Sequence, residues 1–447
     1  MMVGNKAAGG RPGRLATVAP GWWVVLGALA ITTTLWGIGR AGMADGALWP
    51  WRGVSMLAAA WAITLLSIIL LATARSRMIE PMFGGLDRAV RLHRRLGPLA
   101  VGLILVHVVF YIPPTVIQGG SVGDLLVPFW SPTALTFDTI VLYLLLAGTA
   151  LAYMRHLPYE GWLSLHGLMG PVFLAAAAHS SAEGSTLLAF EPLRFWMWFL
   201  VLAGFLAWAY RVLFYRWVAP RYRYRVEAVL PRAGDTVDLV LRPRDRRMIY
   251  EPGTFVFINR PGAGSRRELH PFSISSSPAE RNLRLSVRML GDFTRGLAAA
   301  RPGEPVEVFG PFGSFTPHRY ATYRRLVCIG AGIGITPFLG MLRFEMTNDD
   351  FRRIWLWYVV RDADNAPYDA EIRDGVLKAD SYIDYDLWIT PDRGRLTAAQ
   401  VMAAVAPLDD YAVMLCGRPE FVGDMVRQFL AAGLPRERLI WEDFRFN

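Results

Sequence analysis

The chain has 447 residues, is 53% apolar and carries a formal charge of +10. That length leaves room for two or three domains. The apolar residues crowd into the first half, and many basic ones sit just past the ends of apolar runs, a pattern that implies a bilayer and no nucleic-acid partner. The two cysteines, Cys328 and Cys416, are too few for a four-thiolate iron–sulfur cluster. Both fall in segments read as buried cytoplasmic strands, where a disulfide is not expected.

A membrane span needs about 20 mostly apolar residues. Six segments qualify, at about 22–39, 54–74, 96–118, 133–154, 162–181 and 193–215. Lys6, Arg11 and Arg14 precede the first. Arg75, Arg77, Arg88, Arg91, Arg94 and Arg95 lie between the second and third. Arg155 follows the fourth, and Arg216, Arg221, Arg223 and Arg225 follow the sixth. The opposite loops carry Asp124, Glu183 and Glu191 instead. The positive-inside rule then puts the N-terminus and the whole C-terminal half in the cytoplasm. The first segment also reads as a cleaved signal peptide with small residues around Ala41–Ala44, which leaves the other five orientations unchanged.

Four of the seven histidines fall in or at the edge of these spans: His93 and His107 with the third, His166 and His179 with the fifth. A polar group at that depth is costly and marks a functional site by default, although a lone histidine can equally serve an interhelical hydrogen bond. Both pairs have nearly the same spacing, roughly 20 Å along a helix. Two such helices can clamp two planar macrocycles, His93 with His166 at the inner leaflet and His107 with His179 at the outer. In an ideal helix the third-span pair shares a face, whereas the fifth-span pair misses by roughly 140°. The fifth span therefore needs local rewinding, and Gly170-Pro171 is where a kink is expected.

From about 220 onward short alternating strands take over: Tyr222–Val229, Asp235–Arg242, Thr254–Asn259, Leu283–Arg288 and Pro305–Phe309, separated by Pro-Gly turns. They read as a small antiparallel barrel. Within it, His270-Pro271-Phe272-Ser273-Ile274-Ser275 offers an aromatic ring able to cover a flavin and hydroxyls able to reach it. Arg288, followed by Gly291 and Thr294, offers a cation and a close backbone approach suited to a pyrophosphate. Each segment alone also reads as an ordinary turn.

From about 322 the rhythm becomes strand, helix, strand, as in a parallel sheet. Strand Arg325–Ile329 runs into Gly330-Ala331-Gly332-Ile333-Gly334-Ile335-Thr336-Pro337. Here Thr336 suits a helix N-cap and Pro337 the first helical position, so the turn should aim free amides at a phosphate. Arg361, after strand Trp355–Val360, and Arg395 are candidates for a 2′-phosphate, favouring NADPH over NADH. Strand Tyr411–Leu415 leads into Cys416-Gly417. Cys416 also reads simply as a small buried residue.

Taken together, the His-x13-His and His-x12-His pairs, His-Pro-Phe-Ser, Gly-x-Gly-x-Gly-x-Thr-Pro and Cys-Gly, in this order, resemble the ferric reductase and NADPH oxidase superfamily, in particular its bacterial members. The resemblance covers all but the first roughly 20 residues. It implies an α-helical membrane bundle of six transmembrane helices joined to a ferredoxin-reductase-like module, with an antiparallel β-barrel FAD domain and an α/β parallel-sheet NAD(P)-binding domain. The implied limits are a tail at 1–20, then 21–217, 218–320 and 321–447. It implies two haem b groups on His93, His107, His166 and His179, with FAD and NADPH (or NADH) as further cofactors. Phe272 would stack on the flavin, Ser273 would lie near its N5, and His270 and Arg288 would face its phosphates. Cys416 would stand beside the nicotinamide, and Phe444, or else Phe446, would cover the flavin from the C-terminus.

The implied activity is electron transfer from cytoplasmic NAD(P)H across a bacterial-type inner membrane to dioxygen or a ferric chelate outside. An alternative is a membrane-tethered reductase that feeds a quinone or a periplasmic partner protein. Oxidases of the superfamily commonly carry a histidine one turn outside the outer ligand of the third span, and here Tyr111 stands there. Their arginine near the start of the second span has a counterpart in Arg52. No calcium-binding loop of the D-x-[DN]-x-[DN]-G-x5-E type occurs in the sequence.

Overall fold

The computed structural model describes residues 20–41, 48–130, 135–154, 159–180, 190–260, 269–317, 323, 325–346, 352–378, 382–406 and 410–442. These form two compact units, one running to Ala219 and the other starting at Pro220.

The first unit is helical: α1 (Pro20–Arg40), α2 (Trp49–Ala72), α3 (Leu86–Ile117), α4 (Leu135–Tyr153), α5 (Tyr159–Gly167), α6 (Met169–His179) and α7 (Glu191–Ala209). Among the described residues, six stretches are long and apolar enough to cross a membrane, with α5 and α6 together making the fifth. α2 is the most buried of them. It packs against α3 and α7. Polar side chains tie the helices where lipid offers no partner. Thr32 and Thr64 hydroxyls lie 3.0 Å apart. The indoles of Trp61 and Trp196 donate to Thr33 and Thr32, each at 2.9 Å.

The third span starts earlier than its apolar stretch suggests. No glycine or proline lies between Gly85 and Gly97, so the charged residues from Asp87 to Arg95 form its first turns rather than a loop. Arg91 and Asp87 pair at 2.7 Å across one of those turns.

The fifth span breaks at Leu168, just ahead of the expected Gly170-Pro171. Proline lacks an N–H, so Pro171 leaves the carbonyl four residues earlier, on Gly167, without its helical donor. In a membrane that carbonyl must be satisfied from elsewhere. Nε1 of Trp208 on α7 donates to it at 2.8 Å. Gly170 makes the approach possible: a Cβ there would sit 2.2 Å from the Trp208 ring.

The second unit opens with β1 (Arg221–Arg232), β2 (Thr236–Pro243), β3 (Phe255–Asn259), β4 (His270–Ser273), β5 (Leu283–Arg288), α8 (Asp292–Ala298) and β6 (Pro305–Phe312). The strands form one antiparallel sheet in the order β4-β3-β6-β1-β2-β5. A bridge from Ile274 to Leu285 brings its two edges together into a barrel. Leu239, Leu241, Leu285, Val287, Val306 and Val308 fill the interior.

A five-stranded parallel sheet follows: β7 (Arg325–Ala331), β8 (Arg353–Val360), β9 (Ile383–Ile389), β10 (Ala412–Cys416) and β11 (Leu439–Trp441), ordered β11-β10-β7-β8-β9. α9 (Thr336–Glu345) and α10 (Asp369–Lys378) cover one face. α11 (Ala398–Val405) and α12 (Pro419–Ala431) cover the other. Strands buried on both faces read as continuous apolar runs, as β7 and β10 do. The Asp238 carboxylate, fully buried on β2, joins sheet and barrel: it accepts from Tyr368 Oη and Ser286 Oγ, each at 2.7 Å, and from Arg232 Nε at 2.8 Å.

Candidate functional site

The helical unit brings the four span histidines together as two pairs. The rings of His93 on α3 and His166 on α5 lie 5.8 Å apart, centre to centre. Those of His107 on α3 and His179 on α6 lie 6.4 Å apart. With metal–imidazole bonds of about 2 Å, two rings on opposite sides of one metal sit with centres roughly 6 Å apart. Among the described residues no cluster of three or more His, Cys, Asp or Glu gathers to hold a bare metal ion. The ring separations themselves would suit two histidines sharing one metal whose other ligands come from a macrocycle.

The surroundings of the two pairs differ. Nδ1 of His107 donates to the Ser55 carbonyl on α2 at 3.0 Å, with the Ser55 hydroxyl 2.9 Å away. Nδ1 of His179 lies 2.8 Å from Oδ1 of Asp138 on α4. Carbonyl and carboxylate oxygens only accept, so both Nδ1 atoms carry the proton and both Nε2 atoms are left to ligate. The buried Nδ1 atoms of His93 and His166 have no hydrogen-bond partner among the described residues. Ile69 on α2 presents its carbonyl to His93 without closing a full hydrogen bond. Trp162 stacks on His166 at 5.1 Å, and Tyr111 lies 6.0 Å from His107.

Sequence reasoning missed Ser55 and Asp138. Ser55 carried no signal, since a hydroxyl in a span usually bonds its own helix. Asp138 did carry one: it is the sole Asp, Glu, Lys, Arg or His in α4, and a charge inside a span is by default functional.

In the barrel, β4 holds His270, Pro271, Phe272 and Ser273 opposite Ile258, Phe257, Val256 and Phe255 of β3. The His270 ring stacks on Phe293 of α8 at 3.9 Å, and Phe272 lies 6.3 Å from the same ring. Ser273 is buried, and Ser275 is fully so. The Ser275 hydroxyl is taken up inside the barrel by Ser286 Oγ, at 2.8 Å, and the Arg284 carbonyl. Arg288 ends β5, with Gly291 and Thr294 at the start of α8. The Thr294 hydroxyl turns back on its own chain, accepting from the Leu290 and Gly291 amides.

In the parallel sheet the glycine-rich run departs from expectation. Residues Gly332–Ile335 form a 3-10 turn leading directly into α9, so Ile335 is the N-cap and Thr336 already helical. The Thr336 hydroxyl donates back to the Ile333 carbonyl at 3.0 Å and does not cap the helix. Pro337 still lies in the first turn, where its missing N–H does no harm. Gly330 is the last residue but one of β7, and Gly332 opens the turn at φ +56°. Gly334 is pressed against the end of β10: a Cβ there would lie 2.4 Å from the Cys416 carbonyl oxygen and 2.7 Å from the Gly417 Cα.

Two separate motifs thus meet at the carboxyl edge of the sheet, where open parallel sheets bind ligands. Arg361, after β8, and Arg395, beyond β9, are exposed along the same edge. The Cys416 side chain is fully buried, and its thiol is pushed well above the usual range by burial and then by the nearby Glu442 carboxylate. Cys416 and Cys328 are both free thiols. Phe444 and Phe446 lie outside the described residues.

Comparison with known proteins assigns these parts. Residues 58–177 match the family described as "Ferric reductase like transmembrane component". Residues 222–302 match an FAD-binding domain, and residues 328–427 an oxidoreductase NAD-binding domain. Mouse NADPH oxidase 1 is 31% identical over 180 residues, 39% of this chain and 27% of the mouse protein. The ferredoxin reductase component of 3-ketosteroid-9-alpha-monooxygenase from Rhodococcus rhodochrous is 27% identical over 229 residues, 49% of this chain and 64% of that protein. A superoxide-generating NADPH oxidase heavy chain of Dictyostelium discoideum is 24% identical over 231 residues, 47% of this chain and 32% of that protein.

The solved flavohemoglobin of Malassezia yamatoensis shares the fold, with a TM-score of 0.50 and 18% identity over 77% of this chain and 96% of that one. The chain spans under two thirds of each of these three curated relatives. With membrane, flavin and nicotinamide modules matched in this order, the chain belongs to the ferric reductase and NADPH oxidase superfamily.

Proposed function

We propose that this protein moves electrons from cytoplasmic NAD(P)H across a membrane to an acceptor on the far side, with FAD and two b haems as its internal carriers. The observation that carries this reading is the pairing of four span histidines in two tiers, at 5.8 and 6.4 Å. When bound, the flavin turns a two-electron hydride into single electrons and the haems conduct them, while the protein supplies placement and tuning.

His93 with His166 would hold the inner haem, and His107 with His179 the outer. Phe272 and Ser273 would address the flavin ring, and His270, Arg288, Gly291 and Thr294 its phosphate end. Ser275 would contribute through its place in the barrel, since its hydroxyl is already engaged. The 330–337 turn and Cys416-Gly417 would seat the nicotinamide nucleotide, with Arg361 and Arg395 on a 2′-phosphate and Phe444 over the flavin.

The basic loops support an inner-membrane orientation with the reductase half and the N-terminus in the cytoplasm. Module limits of 21–217, 218–320 and 321–447 follow the same reading. Outward electron movement is then favoured by an inside-negative potential, by about 2.3 kcal/mol per 100 mV. Between dioxygen and a ferric chelate, Tyr111 in the place of a histidine weighs toward the chelate.

Purified full-length protein is expected to show a reduced b-type spectrum with two haems to each flavin. NADPH oxidation in air, with and without superoxide dismutase and with ferric citrate, identifies the acceptor. Cytochrome c reduction unaffected by dismutase counts against an oxidase. Flavin without haem, after haem-replete expression, overturns the proposal.

A further inference from the structure

We propose that Asp138 is a positioning residue for the outer histidine tier, holding the Nδ1–H of His179 and lowering the reduction potential of the haem that His179 ligates. This inference rests on the two-haem reading above.

Asp138 Oδ1 lies 2.8 Å from His179 Nδ1. The two residues come from different helices, α4 and α6, and α4 carries no other Asp, Glu, Lys, Arg or His. An ionised carboxylate in a span is expensive. A first-turn acid can offset that cost in part by facing the positive end of its own helix. That alone does not account for a carboxylate oxygen directed at an imidazole on a neighbouring helix.

Donation from Nδ1–H to a carboxylate raises the basicity of the other ring nitrogen. A more basic ligand stabilises the more positive, oxidised metal. The carboxylate charge acts in the same direction, so both effects lower the potential. The remaining three ligands have no such partner. His107 donates to the neutral Ser55 carbonyl. The Nδ1 atoms of His93 and His166 have none among the described residues. The effect is therefore confined to one haem, the one facing the acceptor, and makes it the stronger one-electron reductant.

The test is an equilibrium redox titration of the full-length protein in detergent, followed by the b-type absorbance, for wild type, D138N and D138E. One of two components is expected to rise in D138N by about 59 mV or more, which is tenfold in a one-electron equilibrium. The other component should stay in place, and D138E should restore most of the shift. Unchanged potentials in a fully haem-loaded D138N overturn the inference and leave the two-haem reading standing. Loss of one haem in D138N that D138E does not repair also overturns it, because Asp138 is then only structural. A wild type without haem overturns the two-haem reading, and this inference with it.

Discussion

The indole of Trp208 donates to the carbonyl of Gly167, the acceptor that Pro171 orphans, at 2.8 Å. This one bond lets the fifth span break without leaving a bare polar group in the bilayer. The break sets His166 and His179 on separate helical pieces, so each meets its own partner on α3 although an ideal helix would turn them apart.

Trp208→Phe keeps most of the ring and removes the donor. The expected cost is about 1–3 kcal/mol for an unsatisfied buried carbonyl. It should appear as a lower thermal midpoint of haem absorbance in detergent. Gly170→Ala should do comparable damage by driving a methyl into the indole, where a Cβ would lie 2.2 Å from the ring. A wild-type midpoint in Trp208→Phe would mean that the bond contributes nothing.

His107→Ala or His179→Ala should remove one haem and stop delivery to the acceptor. Flavin reduction by NADPH, followed by stopped-flow bleaching, should proceed at the wild-type rate. If bleaching fails as well, the membrane and reductase halves do not work as separable modules.

Gly334→Ala should act on the nicotinamide half-reaction alone. The added carbon has no room against the Cys416 carbonyl, so the turn must shift away from β10. A shift of this kind is expected to slow flavin reduction by roughly 10- to 100-fold, with FAD and haem content unchanged. Wild-type reduction would show that the close approach has no part in placing the nucleotide.

Burial, then Glu442, holds the Cys416 thiol well above its ordinary value, and burial does the same for Cys328. The thiolate is the reactive form. Neither residue should therefore take up iodoacetamide at pH 8 in the folded protein, while both should do so on unfolding, as read by mass spectrometry. The folded state keeps these protons to higher pH than the unfolded chain does. Their contribution to stability is thus complete below about pH 8.5 and declines as the pH rises beyond it.

Tyr368→Phe should loosen the join between barrel and parallel sheet. It deletes one of the donors to the fully buried Asp238. The expected loss is about 1–3 kcal/mol, against about 3–5 kcal/mol for Asp238→Ala, which takes the shared acceptor from Tyr368, Ser286 and Arg232 together. Chemical denaturation followed by flavin fluorescence measures both. Equal midpoints for Tyr368→Phe and wild type would exclude the tyrosine from the join.

Much of the architecture was legible because it is written in periodicity and in residues that are costly where they stand. Six apolar runs give six candidate spans, and four histidines stand out because membranes seldom tolerate them. What escaped reading depends on meetings between distant segments. No local pattern announces that Trp208 serves a carbonyl 41 residues away. Strand β4 was hidden by Pro271, which suits an edge strand. Strand β9 was hidden by Asp384 and Asp386, whose polarity also fits a sheet edge, and β11 by its brevity. The capping role expected of Thr336 failed because a 3-10 turn carried the helix start one position earlier. Asp138 is legible as the one charge in its span, but only the meeting with His179 gives it a role.

Helix α2 carries none of the four histidines, yet it acts as a gauge for the levels of both tiers. Ser55 meets His107, and Ile69, fourteen residues along α2, faces His93, fourteen residues back along α3. The two helices run antiparallel and are graduated alike. A single residue inserted into α2 between these two marks would displace one of them by about 1.5 Å and swing it by about 100°. The spacing between the two histidine tiers is thus held by a matched pair of scales, one of which carries none of the four histidines.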